Sequence, residues 1–524
     1  MFLTASLFAQ ESVNMAIVEK IRNEGLKNSK VMDISFNITD VAGPRLSNSP
    51  GLKRAQDWAV QQMKDWGLKN VKLEAWGKFG KGWQVDKYYA ATTLPFYRPI
   101  IASPKAWTPG TNGAIKSQVI LIKADTVTDL QQYKGKLAGK IVMLDRATQI
   151  RPSDKPDIAR TTDEQLAALA AAQPAAAGPA ANRQRPAATA GNNQMAMMMR
   201  MREVAAAINT MLLEEKVGLL LTQARNSSYG TFFTSNGASY ALDAKPVVPE
   251  LEVSSEDYLH LHRLLKAGKT AEVEAEVKTT FYDKDPNGYN VIGEIPGTDP
   301  KLKDEIVMLG GHYDSWHAGT GATDNAAGSA VMMEAMRILK AIDFKPKRTI
   351  RIALWSSEEQ GLHGSRNYML AHFGDPATMV LKPDHEKLSA YYNLDNGTGK
   401  IRGIYLQGNE ASRGIFQSWL TPFKDLGAST VTINNTGGTD HQAFDALGLP
   451  GYQFIQDPMD YSTRTHHSNM DTYERLDEDA LKTSATIVAS FVYNTSERAE
   501  RMPRKELPKP RTPQTPPAGG AVRQ

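Results

Sequence analysis

Apolar runs that end in clusters of polar residues recur in the C-terminal half of the chain. Such a cluster follows an apolar run in three places: residues 305–309 precede His312, residues 350–355 precede Glu358 and Glu359, and residues 390–394 precede Asp395. From about residue 289 to 493 these runs alternate with amphipathic helical patterns, which is typical of an α/β fold. In an open α/β sheet the carboxyl ends of the strands meet at one crevice. We therefore expect these distant side chains to form one site.

A glycine-rich loop carries a further acidic residue. Asp324 lies in residues 319–328, and the segment that follows has apolar residues at helical spacing. That spacing predicts an amphipathic helix whose role is packing, whereas the loop before it is free to carry chemistry.

The pattern changes between about residues 113 and 278. Short β-rich runs separated by turn residues replace the longer periodic segments, which predicts a separate, inserted β-rich domain. Alanine, proline and methionine dominate residues 167–207, and a proline-rich stretch closes the chain; we expect both to be disordered. The predicted organisation is residues 13–112 as the N-terminal part of a catalytic domain, 113–278 as the insertion with the loop 167–207, 279–500 as the main catalytic part, and 501–524 as a tail.

The first residues form a short apolar stretch with a small residue near its end. Residues 1–12 are therefore interpreted as the remnant of a signal peptide. This interpretation predicts a secreted or periplasmic protein.

Composition excludes several classes of function. The 524 residues have a formal net charge of +4 with mixed charges throughout, which does not provide the basic stripe that nucleic-acid binding needs. No apolar run is long enough to span a bilayer. Cysteine is absent, so a metal site has to use histidine and carboxylate ligands.

Imidazole and carboxylate oxygen are ligands that Zn²⁺ accepts, and one carboxylate can bridge two ions. Asp324 is the natural candidate for that bridge. Asp314, two residues after His312, suits the carboxylate that accepts a hydrogen bond from a metal-bound imidazole. Of the adjacent Glu358 and Glu359, one can bind metal while the other acts as a base in the hydrolysis of an amide bond.

Four motifs occur together in a recognisable order, namely residues 311–316, 324–328, 357–365 and 467–472. With them the chain resembles the clan MH co-catalytic zinc exopeptidases, which include bacterial leucyl aminopeptidase, carboxypeptidase Q and glutamate carboxypeptidase II. The Asp-Ser-Trp triplet at 314–316 and the glycines before Asp324 are most similar to carboxypeptidase Q. The resemblance implies a zinc exopeptidase fold, in which helices sandwich a mixed, mostly parallel sheet.

The resemblance also implies a role for each residue. The chain would bind two zinc ions. His312 and Asp395 would hold one ion, Glu359 and His467 the other, and Asp324 would bridge both. Glu358 would be the general base. His467 is preferred over His466 because the family pattern places the ligand four residues before an acidic residue, here Asp471. His466 is assigned to the substrate pocket, and so is His441.

The insertion resembles a protease-associated domain, on the basis of residues 139–146, 216–221 and 246–249. Such a domain is expected to act as a lid or a partner surface.

Two other classes of function stay open. One is a receptor-like binding protein without catalysis, and the other is a single-zinc acyl transferase similar to glutaminyl cyclase. For the peptidase, the sequence predicts a peptide substrate but not whether the amino or the carboxyl end is removed. The oligomeric state is also open, with a homodimer as one option.

Overall fold

The computed structural model of the chain describes residues 11–150, 153–174, 192–234 and 236–510. The signal-peptide interpretation concerns residues 1–12, which lie almost entirely outside the described part. None of the described helices combines the length and the apolar character that a membrane span requires.

The described residues contain eleven α-helices: α1 (Met15–Lys27), α2 (Val31–Phe36), α3 (Pro50–Asp65), α4 (Asp163–Ala170), α5 (Asn192–Glu214), α6 (Ser255–Lys266), α7 (Ala327–Ala341), α8 (His363–His372), α9 (Arg413–Leu420), α10 (His441–Asp445) and α11 (Glu478–Glu497). Side-chain caps help to set where several of them begin. Asn14, Ser49 and Asp477 each accept a hydrogen bond from a backbone N–H in the first turn of the helix that follows.

The same residues contain twenty strands: β1 (Lys69–Lys78), β2 (Gly82–Leu94), β3 (Arg98–Pro99), β4 (Ala102–Pro104), β5 (Ile115–Ile122), β6 (Ile141–Leu144), β7 (Leu219–Gln223), β8 (Arg225–Ser228), β9 (Thr231–Phe233), β10 (Glu250–Val253), β11 (Glu272–Tyr282), β12 (Asn287–Ile295), β13 (Ile306–His312), β14 (Thr349–Trp355), β15 (Gly374–Asp375), β16 (Val380–Leu381), β17 (Leu388–Asn393), β18 (Ile401–Tyr405), β19 (Thr430–Thr432) and β20 (Gly451–Gln456).

Eight strands form the first sheet, in the order β1-β12-β14-β13-β17-β20-β18-β19. The four central strands β14, β13, β17 and β20 run parallel, and the sheet is mixed towards its edges. Alternate residues of β13 enter two different cores, since Val307 packs with α7 and α11 whereas Met308 packs with α8 and α10. Helices therefore cover both faces, and the predicted α/β fold with a mixed, mostly parallel sheet between helices is confirmed.

The second sheet has the order β3-β2-β11-β5-β6-β7-β10-β4. Its strands β5, β6, β7 and β10 are parallel, and helices α5 and α6 pack on its two faces. The sheet includes β2 to β4, which precede the predicted boundary at residue 113. The boundaries of the insertion and its likeness to a protease-associated domain stay predictions.

Two segments that we expected to be disordered are partly ordered. Residues 192–207 belong to α5, whose Val204, Ile208 and Leu212 are buried. Alanine and methionine are good helix formers, and this preference outweighs the low complexity of the segment. The first residues of the tail pack near the first sheet. Met502 is buried, and Arg504 donates to the backbone carbonyl of Leu388 at the start of β17 at 3.0 Å. The rest of both predicted segments, residues 175–191 and 511–524, lies outside the described residues.

Candidate metal centre

The carboxyl ends of three adjacent parallel strands provide most of the site. His312 is the last residue of β13, Glu358 and Glu359 follow β14, and Asp395 follows β17. Because β14, β13 and β17 are neighbours in the sheet, their ends lie side by side. The sheet thus brings together the side chains that the sequence places after its apolar runs.

Asp324 lies between two histidines. Its Oδ1 atom is 3.1 Å from Nε2 of His312, and its Oδ2 atom is 3.1 Å from Nε2 of His467. Each imidazole also contacts a second carboxylate, since His312 Nε2 is 3.3 Å from Asp395 Oδ1 and His467 Nε2 is 2.8 Å from Glu359 Oε2. The five predicted ligands therefore form two groups that share Asp324.

The loop that carries Asp324 is held by another acidic residue. The Asp471 carboxylate accepts the backbone N–H of Thr323 at 2.6 Å and that of Asp324 at 3.1 Å. Asn325 continues the anchoring, because its side chain donates to the backbone carbonyl of Leu394 at 2.9 Å. Sequence reasoning used Asp471 only for spacing and missed this structural role.

His466 and His467 differ in what they reach. Nε2 of His466 is 3.8 Å from Asp324 Oδ2, and its side chain is 44% exposed. His467 lies within 3.1 Å of carboxylates from two elements and is 21% exposed. The geometry places His467 in the cluster and His466 at its rim, where its ring is tilted by 35° against that of Tyr461 at 4.7 Å between centroids.

Asp314 contacts the site differently from what the sequence suggested. Nδ1 of His312 is 3.0 Å from the backbone carbonyl of Asp314 but 3.8 Å from its carboxylate. The carboxylate instead accepts the backbone N–H groups of Glu358 at 3.1 Å and Glu359 at 3.3 Å. The imidazole of His312 therefore contacts the backbone carbonyl of Asp314 rather than its carboxylate, which the sequence had suggested. The Asp314 carboxylate holds the turn that carries both glutamates.

Charges in the cluster shift the pKa values of its members. Burial alone would lower the pKa of His467, but Glu359 and Asp324 raise it to about 11. Burial raises the pKa of Glu359 to about 7 against the attraction of His467. Burial, with Asp395 and Asp440 nearby, also raises the pKa of Glu358 well above its ordinary value. Carboxylates outnumber imidazoles here, and a bound cation would relieve their repulsion.

The donor set fits zinc on two counts. Nitrogen and oxygen ligands about 2.1 Å from a tetrahedral zinc lie about 3.4 Å from each other, close to the 2.8–3.3 Å separations of this cluster. In addition, Glu359 Oε1 is a buried atom without a hydrogen-bond partner in the described residues, and Asp324 Oδ2 makes no hydrogen bond there although His467 Nε2 lies 3.1 Å away. Buried carboxylate oxygens need such a partner or a metal ion.

An arginine far away in sequence holds the surrounding loops. Arg45 is fully buried, and its guanidinium donates to the backbone carbonyls of Tyr313 at 2.7 Å, Thr320 at 2.6 Å and Gly321 at 2.9 Å. A fourth bond reaches the carbonyl of Ile38 at 3.1 Å. Arg45 thus connects the loop that follows His312 to the loop that precedes Asp324. No local pattern in the sequence predicts this contact.

His441, predicted for the substrate pocket, makes its hydrogen-bond contacts with Gln407 and Thr436 and not with the predicted ligands. It is fully buried, and its Nε2 atom is 3.1 Å from the backbone carbonyl of Thr436. It lines a cavity of about 570 Å³ together with Arg366 and Gln407. Its neighbour Asp440 is also buried, and burial raises the pKa of Asp440 to about 7.

Comparisons with known proteins give a family match for the part of the chain that carries this site. Residues 290–492 match the family model described as Peptidase family M28. Carboxypeptidase Q of Rattus norvegicus is 25% identical over 497 residues, which cover 95% of this chain and 90% of that protein. Aminopeptidase YwaD of Bacillus subtilis is 27% identical over 238 residues, which cover 44% of this chain and 50% of that protein.

Solved structures show the same fold. A peptidase M28 precursor from Shewanella amazonensis has a TM-score of 0.63 at 24% identity and covers 95% of this chain and 99% of its own. The zinc aminopeptidase BSAP from Bacillus subtilis has a TM-score of 0.52 at 18% identity and covers 90% and 96%. These structures show the fold alone, whereas the family match and the relatives bear out the predicted class, a metallo-exopeptidase.

Proposed function

We propose that this chain removes residues from one end of short peptides with the help of two zinc ions. The match of residues 290–492 to the model of peptidase family M28 supports the proposal. The observation that carries the proposal is the position of Asp324, whose two oxygens each lie 3.1 Å from a different imidazole. A carboxylate in that position can bridge two cations.

The two groups of contacts suggest how the ligands divide. His312 and Asp395 would hold one zinc ion, Glu359 and His467 would hold the other, and Asp324 would bind both. The oxygens Asp324 Oδ2 and Glu359 Oε1, which make no hydrogen bond in the described residues, support this division, because both belong to the assigned ligands.

Glu358 would serve as the general base. When bound, the zinc ions would polarise the carbonyl group of the substrate and lower the pKa of the attacking water. The Glu358 carboxylate would accept the proton of that water and pass it to the departing amine. Its backbone N–H is fixed by Asp314 at 3.1 Å, which would keep the side chain at the edge of the cluster.

The end of the peptide that is removed is the finer part of the proposal. Carboxypeptidase Q of Rattus norvegicus matches nearly the whole chain, whereas aminopeptidase YwaD matches less than half of it. We therefore favour free dipeptides as substrates, with an aminopeptidase as the alternative. Arg464 is engaged by Asp157 at 2.7 Å, so Arg366 beside the 570 Å³ cavity is the better candidate for binding a terminal carboxylate.

The test is a panel of free dipeptides, amino-blocked peptides and carboxyl-amidated peptides, assayed with added zinc. We expect hydrolysis of free dipeptides and weak or no hydrolysis of peptides with an amidated carboxyl end. Cleavage that tolerates amidation but not amino blocking would assign an aminopeptidase. Failure of the zinc-loaded protein to cleave any peptide would contradict the proposal and favour the receptor-like or cyclase-like alternative.

A further inference from the structure

The loop that carries His467 is in direct contact with a hairpin that lies in the chain between strands β7 and β10 of the second sheet. The second sheet and the segments between its strands are called the second sheet region below. The hairpin consists of strands β8 and β9 with residues up to Thr234, whose backbone N–H donates to the carbonyl of His467 at 2.7 Å. Asn469 makes two further bonds with its side chain: it accepts the backbone N–H of Phe232 at 2.9 Å and donates to the carbonyl of Gly230 at 3.0 Å.

This support matters because His467 lacks a strand or helix of its own. His312 ends β13, and Glu359 and Asp395 lie within four residues of the ends of β14 and β17. His467 instead follows a single helical turn, Tyr461–Thr465, and has a left-handed backbone with φ of 62°. A left-handed backbone is uncommon for residues other than glycine, although histidine adopts it more often than most, so contacts with the surroundings help to hold His467 in this conformation.

A second set of contacts holds the start of the same loop. Arg464 donates to the hydroxyl oxygen of Thr231 at 3.0 Å and forms an ion pair with Asp157 at 2.7 Å. The backbone of Ala159 pairs with that of Met459. Residues between the strands of the second sheet thus contact the loop both before and after His467 in the sequence.

We propose that the hairpin 225–234 positions His467, so that the second sheet region sets the zinc affinity of one of the two metal positions. Asn469 is the positioning residue that connects the two parts. The proposal rests on the proposed function, in which His467 binds zinc. It gives the insertion a role in building the metal centre in addition to any role as a lid.

The test compares three variants of the full chain. Asn469→Ala removes both side-chain bonds to the hairpin, and Thr231→Val removes the hydroxyl that Arg464 contacts from the hairpin side. Asn409→Ala is the matched control, because Asn409 is a buried asparagine that bridges Tyr452 at 3.1 Å and the carbonyl of Pro503 at 2.7 Å without contacting the metal centre. Zinc affinity is measured by competition with a chelating dye, thermal unfolding gives the stability, and dipeptide hydrolysis is followed against zinc concentration.

We expect Asn469→Ala to weaken one zinc position about 10- to 100-fold while the other keeps its affinity, as found for partners that orient metal ligands. Thr231→Val should weaken the same position by a smaller factor. Saturating zinc should restore kcat in both variants, and their unfolding temperatures without zinc, compared with that of Asn409→Ala, separate this effect from a general loss of stability. Asn409→Ala should lower the unfolding temperature yet keep both affinities.

Wild-type affinity at both positions in Asn469→Ala and Thr231→Val would overturn the proposal, and so would an equal loss in Asn409→Ala. His467→Ala is measured in parallel to separate this outcome from failure of the proposed function. If His467→Ala also keeps both zinc ions, the ligand assignment itself is wrong. If His467→Ala loses zinc and Asn469→Ala does not, only the positioning role is wrong.

Discussion

Replacing Arg45 by methionine removes a buried cation that donates to four backbone carbonyls, three of them in the loops around the metal centre. A hydrogen bond to a charged group contributes about 1.5–3 kcal/mol, so four bonds at the lower value would amount to about 6 kcal/mol. Part of this is offset, because methionine needs no desolvation of a charge. We therefore expect Arg45→Met to lower the free energy of unfolding by about 3–5 kcal/mol.

The same change should weaken zinc binding, because the carbonyls of Tyr313 and Gly321 belong to the loops next to His312 and Asp324. The expected loss is about 10- to 100-fold in affinity. Arg45→Lys should recover part of the stability, since lysine keeps the charge but cannot reach four acceptors with one ammonium group.

Urea unfolding with chelator gives the stability of the metal-free chain, and dye competition gives the zinc affinity. Arg54→Met is the control, because Arg54 makes one bond to the carbonyl of Ala42 at 2.6 Å and is exposed. Its effect should stay within about 1 kcal/mol. If Arg45→Met costs no more than this control and binds zinc like the wild type, the positioning role of Arg45 is refuted.

Three further predictions concern single side chains. Glu358→Gln should keep both zinc ions but lose about 10²- to 10⁴-fold in kcat, because it removes the base; unchanged turnover would refute that role. His467→Ala should lose zinc at one position whereas His466→Ala should mostly retain it, as measured by metal content after dialysis, and the reverse result would exchange the two histidines. Burial raises the pKa of Glu252 to about 7, so its contribution to stability is fully present below the unfolded pKa of about 4.5, where the side chain is a neutral carboxylic acid, and is lost as the pH rises through 7 and the buried group ionises. Relative to Glu252→Gln, the wild type should therefore lose about 3 kcal/mol of stability between pH 4.5 and pH 8 in urea unfolding, and parallel stability curves would contradict the shift.

The sequence predicted the strand-end residues because their pattern is local. An apolar run followed by His312, Glu359 or Asp395 is visible within ten residues, and the rule for parallel sheets then brings the three ends together. The α/β fold and the enzyme class were confirmed for the same reason. The motifs that carry the resemblance lie within short segments of chain.

The supporting residues could not be predicted because their partners are distant in sequence and mostly backbone. Arg45 binds carbonyls near residue 320, and Thr234 binds the carbonyl of His467, so neither leaves a side-chain pattern. Asp314 was expected to contact His312 through its carboxylate, but its own backbone carbonyl takes that place. The fold of α5 was missed because low complexity was given more weight than the helix propensity of alanine and methionine.

The zinc content of the purified chain tests the central claim most directly. The protein is equilibrated with zinc at neutral pH and then freed of loosely bound metal. Its zinc content per chain is measured by inductively coupled plasma mass spectrometry. The shared position of Asp324 between His312 and His467 predicts two zinc ions per chain. One ion would contradict the bridged pair and favour a cyclase-like site, and none would contradict the metal centre itself.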